Sequence, residues 1–372
     1  MSRERELLPA ETPLTIVVGS GGVGKTTLAA ALGIRSARQG LDTLVMTFDP
    51  SLRLKDALGV GEEAREREVA VRLPEGGPGQ PHPGRLDASL LDAGRTFDRL
   101  VERYAPDEAS RRRILENRFY RHLAGSLSGV LEYMAVERLY EIARAGSYDR
   151  VILDTPPTRQ ALDFLEAPAR IVAFLDSGVL KLALRDWFDE EGHVQAGRGW
   201  GFLSRRIERV LDRVVGLEFL REMLEFFQAF GPLYEGFRER AREVEELLAS
   251  ERTRFLLVAG PGEDRVPDTL FFARRLEEAG YRLGPVVVNR VHPAFPEEER
   301  FQGEPPEGDA PSGRRLFAWL GAQDRRGVEA LRTLMGGTRP VAPLPLSPRE
   351  PTTLEALEEL AEDLARRLGG GG

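Results

Sequence analysis

The 372-residue sequence contains no cysteine, no long apolar run and very few lysines. Without cysteine it can form no disulfide, no thiolate metal site and no cysteine nucleophile. No apolar run approaches the roughly 18 residues that a membrane-spanning helix needs, and the start of the chain lacks the apolar core of a signal peptide. Lysine occurs only at Lys25, Lys55 and Lys181, so arginine carries almost all the basic charge. We therefore expect a cytoplasmic protein without stable membrane insertion.

The charge balance argues against one large class of partner. The formal net charge is −8, which gives no general attraction to nucleic acid, and none is expected as a partner. With 41% hydrophobic and 30% charged residues, the composition is that of a globular protein. The length allows one large domain or two modest ones.

A phosphate-binding loop lies near the start of the chain. Residues 14–18 form a short apolar run typical of a buried parallel strand, and residues 19–26 then read G-x-x-x-x-G-K-T. The Ala- and Leu-rich stretch 28–39 that follows favours a helix. Glycines let successive N–H groups point into one concavity, and the helix N-terminus also favours an anion. The residues expected to bind nucleotide here are Gly21, Gly22, Val23, Gly24, Lys25, Thr26 and Thr27.

Two further predicted strands end in carboxylates. Asp49 follows the apolar run 43–48, and Asp154 follows the run 150–153. Because such strand ends converge on one crevice in an open α/β sheet, we expect both to lie near Lys25, which would contact the β- and γ-phosphates. Thr26 and Asp154 are the predicted Mg²⁺ residues, and Asp49 and Lys25 the predicted catalytic ones. Turn or helix-cap roles for the two aspartates remain open alternatives.

The order of elements predicts an α/β fold with a doubly wound, mostly parallel sheet. Strands alternate with helices outside residues 166–250, which look all-helical. We expect a P-loop ATPase domain over 1–165 and 251–372, with 166–250 as a helical subdomain inserted in it. Residues 61–85 are predicted to form a mobile surface excursion and 87–146 to be mostly helical. Two helices are expected between residue 312 and the last strand.

Several motifs together resemble the arsenical pump-driving ATPase family, which includes the targeting ATPase for tail-anchored membrane proteins. The motifs are GGVGKTT at 21–27, Asp49-Pro50 and DTPPT at 154–158. The similarity extends to LEYMA at 131–135 and VNR at 288–290. The resemblance implies a deviant-Walker P-loop ATPase that uses ATP and Mg²⁺ and acts as a nucleotide-gated dimer, with itself or with a paralogue.

The resemblance also implies individual roles. Asp49 would be the switch I carboxylate that positions the attacking water, and residues 154–158 would form switch II, which senses the γ-phosphate. Asn289 would hydrogen-bond adenine, and the loop at 343–345 would flank the base. An ordinary turn role for Asn289 is the open alternative.

The sequence departs from the family pattern in three places. The family has a lysine at the second loop position, where this chain has Ser20, so an arginine or a partner would have to supply the cation, or hydrolysis would be slow. The switch I histidine is missing, which makes Arg53 a candidate for nucleotide-dependent contacts or a plain surface arginine. The absence of cysteine excludes a thiolate arsenite site and a dimer-bridging zinc pair.

These departures and the helical insertion leave three functions open. We expect an ATP-hydrolysing molecular switch; the alternatives are a weakly hydrolysing partner subunit and a targeting chaperone for hydrophobic segments. Residues 217–230 (LEFLREMLEFFQAF) carry two apolar stripes, more than one packed face needs. These stripes would either form a groove for a hydrophobic client peptide or pack inside the subdomain.

Overall fold

The chain divides into two compact units. The computed structural model describes residues 12–49, 53–74, 83–118, 130–176, 233–294, 313–336 and 339–369, together with residues 120, 222, 226 and 229. The first unit comprises Met1–Leu91, Ile142–Leu162 and Leu247–Gly372, and the second comprises Asp92–Glu141 and Asp163–Glu246.

The first unit is built on an eight-stranded sheet in the order β3-β4-β2-β5-β1-β6-β7-β8. Every pairing in it is parallel except that of β3 with β4. The predicted α/β class with a doubly wound, mostly parallel sheet is therefore confirmed. The strands are β1 (Leu14–Gly19), β2 (Thr43–Thr47), β3 (Val69–Ala70), β4 (Leu86–Leu90), β5 (Arg150–Asp154), β6 (Thr253–Ala259), β7 (Leu283–Val291) and β8 (Val341–Pro345).

Helices follow the strands, as parallel crossovers require. Two short 3₁₀ helices, Glu62–Arg65 and Glu263–Arg265, lie between them. The α-helices are α1 (Lys25–Arg38), α2 (Arg53–Leu58), α3 (Ala93–Tyr104), α4 (Glu108–Glu116), α5 (Val130–Ala145), α6 (Thr158–Asp176), α7 (Tyr234–Ala249), α8 (Val266–Glu278), α9 (Gly313–Leu334) and α10 (Leu354–Gly369). None of the helices in the described ranges is both long and apolar enough to cross a membrane.

The core of the first unit surrounds α1. Leu28, Leu32 and Ile34 on this helix are fully buried, in one apolar cluster with residues of the sheet and of α10. The helix lies very close to β2, because a Cβ on Gly33 would come within 2.2 Å of the Val45 Cγ2 atom. This contact fixes the height of α1 over the sheet, and with it the position of the loop that precedes the helix.

Sheet register brings three strand ends together at the site. β5 lies between β1 and β2, and Asp154, its last residue, pairs with Val17 on one side and Thr47 on the other. The phosphate-binding loop begins where β1 ends, at Gly19. Side chains at the ends of β2 and β5 therefore lie beside the loop, as the strand-end prediction required.

The second unit is helical, and residues 92–141 belong to it rather than to the sheet. Its core joins α5 to α7: the Tyr133 and Phe237 rings stack with centroids 5.5 Å apart. Arg240 Nε donates to both oxygens of Glu137, at 2.8 and 3.1 Å, and both side chains are buried. These contacts tie α5 to α7, so residues 92–141, part of the 87–146 stretch predicted to be mostly helical, belong to the same compact unit as residues 163–246.

Most of the helix expected over 217–230 lies outside the described residues, and so does Phe227. Phe226 is described: it is 4% exposed, and its ring stacks on Tyr120 at 6.2 Å. Ala229 is buried as well. For these two residues the interpretation of internal packing agrees with the structure.

Two local predictions were wrong. Residues 86–90 form the buried parallel strand β4, where mostly helical structure was expected, and Val69–Ala70 pair with it inside the expected surface excursion. The pair of helices expected after residue 312 is a single helix, α9. Residues 86–90 (LDASL) do alternate between apolar and polar residues, as a strand does, but over only five positions. Buried Asp87 accepts a hydrogen bond from the Tyr148 hydroxyl at 2.7 Å.

Candidate functional site

The loop between β1 and α1 has the backbone that an anion-binding nest needs. Gly22 and Gly24 have φ values of 77° and 92°, in the left-handed region that glycine adopts readily. Gly24 is also confined by space, since a Cβ there would come within 2.4 Å of the Asn289 Nδ2 atom. The loop conformation thus depends on glycine at position 24 for two independent reasons.

Lys25 begins α1 and is buried, with 6% of its surface exposed. Its Nζ atom donates to the Ser20 carbonyl oxygen at 3.0 Å. Burial lowers the pKa of Lys25, while the nearby charges of Asp154 and Asp49 oppose that shift. The ammonium is therefore held inside the loop, facing both carboxylates that were predicted to join it.

Asp154 is the centre of the site and is completely buried. Its Oδ2 atom accepts hydrogen bonds from the Thr26 hydroxyl at 2.8 Å and the Thr47 hydroxyl at 3.1 Å. Its Oδ1 atom is buried with no hydrogen-bond partner. Burial raises the pKa of Asp154 to about 7, although both threonines and the Lys25 charge act to lower it.

This arrangement suits a divalent cation. A buried carboxylate oxygen without a partner has an unmet demand for positive charge. The Thr26 hydroxyl gives its proton to Asp154, so its lone pairs stay available to a cation. No cluster of three or more acidic or histidine side chains that could hold a metal occurs among the described residues. Mg²⁺ commonly takes few protein ligands and completes its shell with phosphate oxygens and water.

Asp49 lies two residues beyond the end of β2. Its backbone N–H donates to the Thr47 hydroxyl oxygen at 3.1 Å, and Thr47 in turn donates to Asp154. Thr47 therefore links the two predicted carboxylates, a role that sequence reasoning missed. The only signal was its place at the end of β2, two residues before Asp49.

The end of β7 fastens the outside of the loop. Asn289 Nδ2 donates to the Val23 carbonyl oxygen at 2.8 Å, and Arg290 Nη1 donates to the Gly22 carbonyl oxygen at 3.1 Å. The Asn289 side-chain oxygen accepts from the Arg290 backbone N–H at 2.9 Å. Two consecutive side chains thus bind two consecutive loop carbonyls. The role of Arg290 was missed as well, since nothing in the sequence predicts a side chain that crosses from β7 to β1.

The comparison with protein families agrees with this geometry. Residues 12–186 match the family model for the anion-transporting ATPase. This part of the chain resembles that family. The matched region includes the phosphate-binding loop, Asp49 and Asp154, which supports the predicted resemblance to the arsenical pump-driving ATPases.

Similarity to individual proteins of this family extends further along the chain. A putative arsenical pump-driving ATPase of Aquifex aeolicus is 26% identical over 351 residues, which cover 92% of this chain and 76% of that protein. An uncharacterized protein of Streptomyces coelicolor is 28% identical over 94% of this chain and 80% of its own length. The protein named ATPase get3 of Aspergillus terreus is 32% identical over 41% of this chain and 42% of its length.

The other predicted loop residues lie around the same site. Val23 is buried, Gly21 is exposed and Thr27 lies half-buried in the first turn of α1. A Cβ on Gly21 would lie 3.6 Å from the Pro157 Cγ atom, so the predicted switch II segment approaches the loop. The Thr155 hydroxyl donates to the Val17 carbonyl oxygen at 2.8 Å, which fixes this segment against β1.

A cavity lies beside the ends of β7 and β8 in the first unit. Its volume is about 680 Å³, and Val291, His292, Pro343 and Pro345 are among the residues that line it. His292 is held by buried Asp324, whose Oδ2 atom lies 2.7 Å from the His292 Nδ1 atom. The predicted base-flanking residues Pro343 and Pro345 therefore border open space.

Proposed function

We propose that the chain is a Mg²⁺-dependent ATPase that acts as a nucleotide-gated dimer, with itself or with a paralogue. The observation that carries this proposal is the buried cluster of Thr26, Thr47 and Asp154 beside Lys25 at three strand ends. The match of residues 12–186 to the anion-transporting ATPase family model supports the same activity. The cytoplasmic location remains a prediction from the sequence.

Nucleotide binding rests on the loop and on Lys25. The loop N–H groups and the N-terminus of α1 would bind the phosphates. Lys25 would leave the Ser20 carbonyl for the β- and γ-phosphates, a short movement because it is already inside the loop. Residues 21–27 would contribute through their backbone and through the Thr26 hydroxyl.

Thr26 and Asp154 would hold Mg²⁺, which supplies neutralisation of phosphate charge. Thr47 would keep Asp154 oriented, since it is fully buried and donates to the same carboxylate oxygen as Thr26 does. We expect Asp154 to be deprotonated in that complex, because a nearby cation lowers the pKa of a carboxylate.

Asp49 would orient the attacking water and accept its proton. Its connection through Thr47 to Asp154 gives a route by which events at the phosphates could move residues 49–53. We propose that this linkage and the segment after Asp154 form the two switches. The helical unit would then carry the response to a partner.

Asn289 remains the proposed adenine-binding residue, but its existing hydrogen bonds limit which of its side-chain atoms can contact the base. Its amide already donates one hydrogen to Val23 and accepts from Arg290. The side-chain amide therefore has one N–H and one oxygen lone pair left to form hydrogen bonds with the edge of the adenine base. Base binding would therefore leave the Asn289 hydrogen bond to Val23 intact, with Pro343 and Pro345 beside the base.

Substitution at Asp49 provides the sharpest test. Asp49→Asn is expected to lower kcat by roughly 10²–10⁴-fold, because it removes the proton acceptor, while affinity for MgADP stays unchanged. Asp56→Asn, on the exposed side of α2, is the matched control and should keep full activity. Phosphate release and binding of a fluorescent ADP would be measured on the same samples. Equal turnover in Asp49→Asn and the unmodified chain would refute the assigned role.

Ser20 favours one second candidate, a subunit that binds nucleotide but hydrolyses it weakly. A serine hydroxyl cannot supply the positive charge that stabilises the transition state. Under this alternative the isolated chain would bind MgATP with negligible turnover, and Ser20→Lys would increase turnover. The primary proposal expects measurable turnover without that substitution.

A further inference from the structure

Arg290 has an unusual backbone. Its φ of 64° makes it the one non-glycine residue of the described chain in the left-handed region. Such a conformation is costly for a long side chain and persists where the surroundings impose it. Here the Asn289 side chain accepts a hydrogen bond from the Arg290 N–H, which holds the backbone in this conformation. The result is that the side chain turns toward the phosphate-binding loop.

The charge of Arg290 is held only loosely. The guanidinium contacts the Gly22 carbonyl oxygen at 3.1 Å through one nitrogen. A carboxylate oxygen of Glu350 lies 3.8 Å from another nitrogen, but 48% of the arginine side chain and 81% of the glutamate side chain are exposed. Water weakens such an exposed pair. A guanidinium has five N–H donors in a fork suited to phosphate. Because the Gly22 carbonyl takes only one of them, most of the donors of Arg290 can still bind another acceptor.

The site needs positive charge beyond what Lys25 provides. Lys25 already faces the carboxylates of Asp154 and Asp49. Phosphoryl transfer spreads negative charge over the γ-phosphate oxygens, and P-loop enzymes meet it with a further cation, often an arginine. Ser20 is neutral. Arg290 rests on the outer side of the same loop, one side-chain movement from its phosphate-facing side.

We propose that Arg290 leaves the Gly22 carbonyl when ATP binds and donates to a phosphate oxygen, as the arginine that stabilises transition-state charge in this chain. This proposal rests on the proposed ATPase function. It makes Arg290 a catalytic residue supplied in cis, and it gives the chain a replacement for the cation missing at position 20. The other role open to Arg290 is to fasten the loop only.

Charge rescue separates these two roles. Arg290→Ala is expected to reduce kcat by roughly 10²–10³-fold, with the affinity for MgADP changed less than about threefold. Arg290→Lys should keep a substantial part of the activity because it keeps the charge. Adding Ser20→Lys to Arg290→Ala should restore turnover at least about tenfold, since a cation at position 20 can reach the phosphates without contacting Gly22. Arg366→Ala, an exposed arginine at the end of α10, is the control and should behave like the unmodified chain.

Two results would overturn the proposal: unchanged kcat in Arg290→Ala, whether or not Arg53→Ala lowers it, or no rescue by Ser20→Lys. A loop-fastening role alone predicts weaker MgADP binding and no rescue. Affinity for ADP with aluminium fluoride provides a second readout that needs no turnover, and Arg290→Ala should weaken it at least tenfold relative to ADP alone. If the unmodified chain binds that complex but lacks turnover, the proposed hydrolysis fails while the role of Arg290 is still tested.

Discussion

The ionisation of Asp154 couples the folded state to pH. Its pKa of about 7 in the folded chain exceeds the ordinary 3.8, so the folded state binds more protons than the unfolded state between pH 4 and 7. This residue therefore reduces stability as pH rises through that window, by at most about 4 kcal/mol for a pKa difference of this size. Deprotonation above pH 7 leaves a buried charge for which only a bound cation fully compensates.

Asp154→Asn should remove that pH dependence. Asparagine keeps an oxygen for the two threonine hydroxyls and carries no charge, so the nucleotide-free variant should be more stable than the unmodified chain at pH 8. At pH 4.5, where the native carboxyl is protonated, the two should agree to within about 1 kcal/mol. Urea unfolding at both pH values measures the difference. Parallel pH profiles for the two proteins would contradict the raised pKa.

Gly24→Ala should cost more than Gly22→Ala, although both glycines have positive φ. At Gly22 a Cβ meets nothing within 4 Å, so alanine incurs only the backbone cost of about 1–2 kcal/mol. At Gly24 it would also displace Asn289 Nδ2 from 2.4 Å and break the bond to Val23, adding about 1 kcal/mol. Thermal unfolding of the two variants measures the difference. Equal losses would show that Asn289 moves without cost.

The proximity of Lys25, Thr26 and Asp154 was predictable from local patterns, whereas the hydrogen bonds that connect them to the rest of the fold were not. Lys25, Thr26 and Asp154 lie together because each is at or just beyond the end of a buried parallel strand. These apolar strands and the polar residues at their ends can be recognised in the sequence. Thr47 and Arg290 were missed because their partners are far away in the chain. Arg290 and Gly22 are 268 positions apart in the chain, and such a separation leaves no periodic signal.

Among the elements, α9 shows how close packing overrides a local signal. Gly321 and Gly327 weaken the intrinsic helix preference of this stretch, yet it forms one helix over Gly313–Leu334. Gly327 is needed for space, since a Cβ there would lie 2.6 Å from the Gly262 carbonyl carbon. A sequence shows the glycine but not the backbone that approaches it. The same limit applies to β4, whose buried Asp87 is stabilised by Tyr148 and by an ion pair with Arg85.

Gly327→Ala should therefore destabilise the chain, by about 1–3 kcal/mol for an overpacked contact with backbone. Gly313→Ala is the matched control at the start of the same helix, where a Cβ meets nothing within 4 Å. Alanine there should be neutral or slightly stabilising, because it is the better helix former. Chemical unfolding compares the two variants. A neutral Gly327→Ala would mean that the loop at Gly262 gives way easily.

On the scale of the whole molecule, the two units have different kinds of core. The first is apolar around α1, whereas the second buries the pair of Glu137 and Arg240. Burial raises the pKa of Glu137, the Arg240 charge opposes it, and the Tyr133 hydroxyl donates to the same carboxylate. Sequence patterns predicted helices in residues 87–146 and 166–250 but not that the two stretches share a core, because the contact between residues 137 and 240 crosses 103 positions.

Glu137→Ala should unfold the second unit selectively. It leaves the buried Arg240 charge without its carboxylate, a loss of about 3–5 kcal/mol. Hydrogen exchange should quicken in residues 92–141 and 233–246, while β1 and β5 keep their protection. Asp163→Ala removes a partly exposed ion pair with Arg170 in the same unit and should change stability by less than about 1 kcal/mol. Uniform loss of protection in both units would show that they unfold together.

The edge formed by β8 has a consequence for self-association. The Leu346 backbone N–H donates to the Val291 carbonyl oxygen of β7. Because backbone groups alternate in direction along a strand, those of residues 342 and 344 also point toward β7, and those of Val341, Pro343 and Pro345 point away from the sheet. Two of those three outward positions are prolines, which have no N–H to offer an incoming strand. A second sheet therefore finds almost no donors along this border. Fibril growth from this side is disfavoured by composition alone, and replacing both prolines with valine would be expected to make concentrated samples aggregate.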